Sequence, residues 1–472
     1  MPTAVKQLLS PLASLKLTVL LLALSVMLVF MGTLAQVDQG IWDVVGGYFR
    51  SFYVYVPLQL FFPRDVRIPG ELPFPGGYTI GVLMLLNLLA AHTLRFNVRA
   101  KGLRLLIGLL VMLTGGLLLA WFHNSPVPGH VLTLYGGYAG VLPLMLLGAV
   151  VYSPMVVGCW IIFGKRAGII LIHSALILLL IGEAVTARTA VETQMPIYEG
   201  TSASWAHDIR EVELAVIDPS DASYDETVVV PQSMLRRSAR TGQRISHPDL
   251  PFDIVVDQYL SQSRIVPIAQ SGRARADATR GFGVSHVAVA APAVSGVDLD
   301  KSIDVPSALV SLGTADGPVG RYLVSPHFQA DSHLVVGQDV SVGDKTYQLS
   351  LRFRRYYRPF TLHLIRFHHD LYPGTNIPRN FASDIRLVDT QEHVDRELKI
   401  YMNNPLRYRG EIYFQSSWIP GARAGDPDRG TVLMVVRNPG WTIPYIACAM
   451  GAIGMTVQFG SGLAGFLRRR KA

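Results

Sequence analysis

Ala167-Gly-Ile-Ile-Leu-Ile-His-Ser-Ala-Leu-Ile-Leu-Leu-Leu-Ile-Gly-Glu-Ala-Val-Thr186 is the stretch on which the rest of the chain turns: 20 residues whose only ionisable side chains are His173 and Glu183. A helix needs roughly 20 predominantly apolar residues to cross the hydrocarbon core, where its backbone must satisfy its own hydrogen bonds. Working outward, four runs of the same kind precede it (Leu17 to Val37, Tyr78 to Leu94, Leu105 to Trp121 and Tyr138 to Phe163) and one follows, Trp441 to Phe459. Six spans are therefore predicted. Pro143 and Pro154 are expected to kink the fourth, freeing carbonyls that neighbouring helices must satisfy.

Composition agrees. The 472 residues are 50% hydrophobic and 16% charged, against about 25% charged in soluble domains. A net charge of +8 invites a nucleic-acid reading, but the positions of the charges exclude it. Lys6, Lys16, Arg95, Arg99, Lys101, Arg104, Lys165, Arg166, Arg468, Arg469, Arg470 and Lys471 all flank apolar runs in segments without Asp or Glu, and setting them aside leaves 30 basic against 34 acidic residues. With the N-terminus in the cytoplasm all twelve fall on the cytoplasmic side, as the positive-inside rule requires. Both termini are then cytoplasmic and the region from Ala187 to Pro439 is extracytoplasmic, which in a bacterium means a periplasmic domain on the cytoplasmic (inner) membrane. The first run is too long for a secretory signal core of about 7 to 15 residues and is read as a retained anchor.

The outer region reads as strands and turns. Tyr347, Leu349, Leu351 and Phe353 alternate with Gln348, Ser350, Arg352 and Arg354, the period of two that buries one strand face. Gly343-Asp344 just before them suits a hairpin turn. Short runs of the same kind recur at Phe252 to Val256, His286 to Ala290, Ala308 to Leu312, Ile385 to Val388, Lys399 to Met402, Glu411 to Gln415 and Val432 to Val436. The predicted fold class is membrane α + β: a six-helix transmembrane bundle with a large extracytoplasmic all-β domain, a sandwich or a partly open barrel, between the fifth and sixth helices. Domain limits are 1–186, 187–439 and 440–472. The aromatic loop from Asp38 to Gly77, broken by Pro57 and Pro63, is expected to lie in the outer interface.

The only cysteines, Cys159 and Cys448, lie in apolar runs, so the polar domain can build neither a disulfide framework nor a thiolate metal site. No CxxCH haem-attachment site is present, and no nucleophile with its acid and base, phosphate-binding glycine loop or metal-ligand spacing stands out.

His369-Asp-Leu-Tyr-Pro-Gly-Thr-Asn-Ile-Pro378, then Asn380-Phe-Ala-Ser383, Tyr401-Met-Asn-Asn-Pro-Leu-Arg-Tyr408 and Tyr413-Phe-Gln-Ser-Ser-Trp418, resemble the end of the outer domain in ResB-type (CcsB) proteins of cytochrome c biogenesis. Similar to that family are also Ser14-Leu-Lys-Leu-Thr18, Gly32-Thr-Leu-Ala-Gln36 and Asn438-Pro-Gly-Trp441, whereas the runs Leu105 to Trp121 and Tyr138 to Phe163 look like a helix hairpin added to the shorter members. The resemblance implies a subunit of the System II machinery, acting with a ResC (CcsA) partner to carry haem across the membrane and join it to apocytochrome c. Thiol-reducing thioredoxin-like proteins are a further implied partner class, with the lipid bilayer as surroundings and no nucleic acid. The tryptophan-rich haem-handling motif of ResC is absent, so the chain is at most a non-catalytic or half-site subunit of a cytochrome c synthase. The cofactor implied is haem b, held transiently and shared with the partner. Two alternatives stay open: a b-type membrane electron carrier, and a haem-free structural protein with a ResB-like fold.

Four histidines are candidate haem-binding residues. His92, near the end of the second run, is the position where the resemblance implies an axial ligand; the bland reading is a helix-end imidazole snorkelling to the interface or bonding a neighbour's carbonyl. His173 lies at a comparable depth in the fifth run, so the two would form a bis-histidine site if their helices are neighbours, or else His173 serves packing or an interhelical hydrogen bond. His123 and His130 flank a short outer loop, either near delivered haem or simply solvated. His368 and His369 adjoin the quoted motif and face opposite ways on a strand, a structural role with Asp370 being one reading. Glu183 would pair with an outer-loop arginine or reach the headgroups. Arg352, Arg354, Arg355 and Arg358 would meet carboxylates of haem or an apocytochrome, or form a solvated strand face.

Overall fold

Apolar runs wind into helices and alternating segments into strands, and the contacts among them divide the chain into two units. One comprises Met1–Ala35, Trp42–Ala190 and Asn438–Ala472, the other Gln36–Ile41 and Val191–Arg437. The computed structural model describes residues 3–63, 65–95, 98, 100–125, 141–221, 224–272, 276–297, 303–329, 337–375, 378–421 and 429–471.

The first unit is helical: α1 Thr3–Leu12, α2 Leu15–Ala35, α3 Gly77–Arg95, α4 Leu103–Asn124, α5 Val141–Phe163, α6 Ala167–Thr189 and α7 Ile443–Lys471. Among the described residues five stretches are long and apolar enough to cross a membrane: Leu15–Ala35, Gly77–Leu94, Leu103–Phe122, Leu146–Thr189 and Ile443–Arg470. The expected count of six is thus corrected to five candidate spans. The cause is local: only the 3-10 turn Gly164–Arg166 separates α5 from α6, so the fourth and fifth runs merge into 44 residues. Gly164 makes that turn at φ +59, where a side chain would be strained. The two helices pack back along each other, Cys159 sharing a cluster with Ala167 and Leu171, and Val151 and Tyr152 one with Ala175.

Glycines set the helix spacing. A Cβ at Gly115 of α4 would stand 2.5 Å from the Met155 nitrogen of α5, and one at Gly158 of α5 would stand 2.6 Å from the Met112 nitrogen of α4. Between α6 and α7, Gly168 and Gly454 play the same part, each against the other helix's backbone. Small residues of this kind let backbones approach where lipid offers no hydrophobic drive. In α3, Asn87 accepts from the Thr18 hydroxyl (2.8 Å) and donates to Leu12 O (2.6 Å), tying α3 to the start of α2. The aromatic loop forms the hairpin Tyr53–Pro57 and Glu71–Pro75, with Tyr48, Val54 and Val56 buried and Phe52, Tyr53 and Tyr55 exposed.

The second unit is β-rich. Its main sheet runs in the order Val394–Tyr401, Pro378–Asp389, Lys345–Leu371, Ser202–Asp218, Val191–Tyr198, Gly430–Arg437, Glu411–Ile419 and Leu406–Tyr408, with Gln338–Val342 and Glu226–Pro231 pairing beside this path to make ten strands. Every described pairing in it is antiparallel. Gly343-Asp344 does form a two-residue turn, with Val342 opposite Lys345 and Gly343 at φ +61. The 27-residue strand Lys345–Leu371 links two cores. Its first part (Leu349, Leu351) packs on the three-stranded sheet Gly317–Val324, Ser307–Thr314 and Asp253–Leu260, a sandwich-like arrangement. Its second part (Leu362, Leu364) shares a core with Ile385, Ile400, Tyr413 and Leu433, residues from both ends of the main sheet, which therefore curls as a partly open barrel does. The unit is not wholly β, since it includes the helix Gln232–Thr241, which buries Leu235 on the first core.

Candidate functional site

Two imidazoles meet inside the helical unit. His92 lies three residues before the end of α3 and His173 six residues into α6. His173 Nδ1 is 3.1 Å from His92 Nε2, and the rings stand edge to face, centroids 4.8 Å apart at 82°. His92 Nδ1 reaches the carbonyl of Leu88, one turn back on its own helix, at 2.8 Å. A carbonyl only accepts, so Nδ1 of His92 carries a proton and Nε2 of the neutral ring carries the lone pair. Fixing the tautomer through the second ring nitrogen is how metal-ligating histidines are commonly prepared. The donor set, neutral imidazole nitrogen among apolar helices, suits haem iron. No group of three or more His, Cys, Asp or Glu that could hold a metal ion occurs among the described residues.

A cleft farther along α6 is different in kind. Ser174, Ile177, Leu178 and Ile181 line an open cleft of about 330 Å³ with Gly116, Leu119, Met155, Ile446 and Met450, a wall with no imidazole or carboxylate. Near the far end of α6, Glu183 pairs with Arg50 at 3.2 Å, so of its two readings the arginine partner is the one present. His123 falls in the last turn of α4, where only the backbone is described, and His130 lies outside the described residues.

The outer unit's candidates are engaged within the sheet itself. Arg352 Nε donates to Glu213 at 2.9 Å, both side chains more than nine-tenths buried. Arg354 pairs with Glu211 at 3.1 Å, and Arg358 grips Glu411 with two hydrogen bonds of 2.7 and 3.0 Å. Arg355 lies over the Trp205 ring at 4.0 Å. Arg352, Arg355 and Arg358 thus brace the sheet, whereas Arg354 keeps to a solvated strand face with its partner half-exposed. His368 binds Asp384 (2.7 Å) on the neighbouring strand rather than Asp370. Burial raises the Asp384 pKa, but the His368 hydrogen bond and Lys399 outweigh it, so the carboxyl sits below its usual range. His369 packs against Phe381 (4.6 Å) and Trp418 (5.0 Å), whose own rings stack at 5.1 Å.

A family model described as the ResB-like family matches residues 163–426, more than half of the chain. The chain belongs to the ResB-like family. That match takes in α6 with His173 and nearly all of the β-rich unit, and it stops short of α3 and His92. Protein NrfI of Wolinella succinogenes is 36% identical over 98 residues, 21% of this chain. The matched stretch spans only 10% of the length of that relative. Sequence reasoning reached both imidazoles of the pair but not the Leu88 carbonyl that orients one of them, although an i−4 carbonyl is within reach of any side chain on a helix.

Proposed function

We propose that this ResB-like protein is a multi-pass subunit of the cytochrome c biogenesis machinery of a bacterial cytoplasmic membrane, with haem as its cargo. His92 is the residue that holds haem, through Nε2, and a ResC-type membrane partner supplies the rest of the site and the attachment to apocytochrome c. The observation that carries the reading is the pre-set tautomer of His92 on a predominantly apolar helix, joined to family membership. In this arrangement the 44-residue stretch Leu146–Thr189 crosses twice. As one helix it would be roughly 66 Å long against a core of roughly 30 Å. The turn Gly164–Arg166, carrying Lys165 and Arg166, then lies in the cytosol with both termini, and the β-rich unit faces the periplasm. His92 and His173 consequently lie near the cytosolic face, where cargo would be taken up.

Deleting the gene is expected to abolish covalent haem staining of periplasmic c-type cytochromes, and His92→Ala should reproduce that loss at normal protein level. Undiminished staining in the deletion strain would remove the assignment. A second reading, a b-type electron carrier, draws on the proximity of His92 and His173, although iron would have to part their hydrogen bond to sit between them. It requires stoichiometric, reversibly reducible haem in the chain purified alone; haem found only after co-expression with a ResC-type partner rules it out.

A further inference from the structure

The lone pair that makes His92 a ligand is already engaged. With Nδ1 protonated toward Leu88 O, His92 Nε2 accepts, so His173 Nδ1 at 3.1 Å must be the donor. The two nitrogens are too close to bind one haem iron from its two opposite faces, since iron–nitrogen bonds of roughly 2 Å would then hold them ~4 Å apart. The geometry is that of a hydrogen bond and not of a bis-histidine site waiting for iron. Both rings are carried on anchored helices. Asn87 ties α3 to Leu12 O, and α6 is pressed against α7 at Gly168, five residues before His173.

We propose that His173 is a positioning residue that caps His92: its Nδ1–H holds the ligating nitrogen of His92 in place in the haem-free protein and must be given up before His92 can bind iron. The inference rests on the reading of His92 as the haem-holding residue. Two consequences follow from the cap. It keeps His92 oriented and its lone pair satisfied within an apolar surround. It also weakens haem binding by the strength of one hydrogen bond, a desirable property in a site that must release its cargo.

The test is titration of haemin into the detergent-solubilised full chain, followed by absorbance of the oxidised and reduced forms. His173→Phe keeps the bulk of the ring and removes the donor; His173→Ala is the parallel variant, and His173→Asn restores an N–H near the position of Nδ1. Removing the cap is expected to tighten haemin binding roughly two- to tenfold, the equivalent of one net hydrogen bond, with the reduced spectrum unchanged. His173→Asn should return the affinity toward wild type. Weaker binding and an altered spectrum in both His173→Phe and His173→Ala would make His173 itself a ligand and overturn the cap, as would an unchanged affinity. Haemin uptake that survives His92→Ala, or that neither wild type nor His173→Phe shows, overturns the reading of His92 on which the cap rests.

Discussion

His207 shows how burial turns a titratable side chain into a pH-dependent weakness. It lies on Ser202–Asp218, and its pKa is lowered to about 4, by burial first and by the nearby Arg355 second, with Asp208 pulling the other way. The unfolded chain therefore takes up a proton near pH 6.5 that the folded chain refuses until about pH 4. Stability is whole above pH 6.5 and falls as pH drops through this window, by about 3 kcal/mol in all. Chemical denaturation of the purified protein at pH 7 and pH 4.5 should show this loss, and His207→Gln should lose about 2 to 3 kcal/mol less between those two values. If the variant and wild type lose stability in parallel, His207 is solvated and the assignment of its environment is wrong. At this scale the sequence exposes some facts and hides others. An imidazole inside an apolar run, as at His92 and His173, is conspicuous because lipid penalises it. The partner of His368 is not, because Asp384 reaches it only through the antiparallel register of a neighbouring strand, while Asp370 is two residues away on its own.

At the scale of elements, Arg352 and Glu213 face each other across the pairing of the two longest strands, buried from water. Breaking such a pair leaves one uncompensated charge, whereas replacing both partners with apolar residues is often neutral. Arg352→Met is expected to cost about 3 to 5 kcal/mol, and the double replacement Arg352→Met with Glu213→Leu to recover most of it in denaturant unfolding. A double variant as weak as the single one would assign the loss to packing instead of charge. The helix pair α4 and α5 makes a comparable prediction: Gly158→Leu would force its side chain into the Met112 backbone and should separate the helices. Loss of a disulfide cross-link between Leu119→Cys and Tyr152→Cys, two buried members of the cluster between these helices, would report the separation. Alternation made the first half of Lys345–Leu371 legible, since Tyr347 to Phe353 keep a strict period of two. The continuation is illegible because Arg354-Arg355-Tyr356-Tyr357-Arg358 breaks that period, and it is the pairing with two neighbouring strands, with cross-strand ion pairs and the Trp205 contact, that carries the strand on.

For the whole molecule, the decisive quantity is the placement of cations along the chain. Twelve of them bracket apolar runs without a carboxylate among them, a pattern that costs nothing in water and is explained by translocation. The same pattern made the membrane character legible from sequence, where Lys165-Arg166 parts the fourth and fifth runs, whereas a count by helix length and hydropathy joins α5 and α6 across a reversal of three residues. Topology mapping tests both halves of the orientation. In a background where Cys159 and Cys448 are replaced, cysteine is introduced singly at Tyr372, Lys101 and Lys165, all exposed positions. A membrane-impermeant maleimide should label Tyr372→Cys in intact spheroplasts, and should label Lys101→Cys and Lys165→Cys only after lysis. Labelling of Lys165→Cys without lysis would mean that the 44-residue stretch does not return to the cytosol between α5 and α6. Protection of Tyr372→Cys until lysis would invert the whole arrangement, because a β-rich unit in the cytosol could not meet periplasmic apocytochromes, and His92 would then stand at the wrong end of the route proposed for haem.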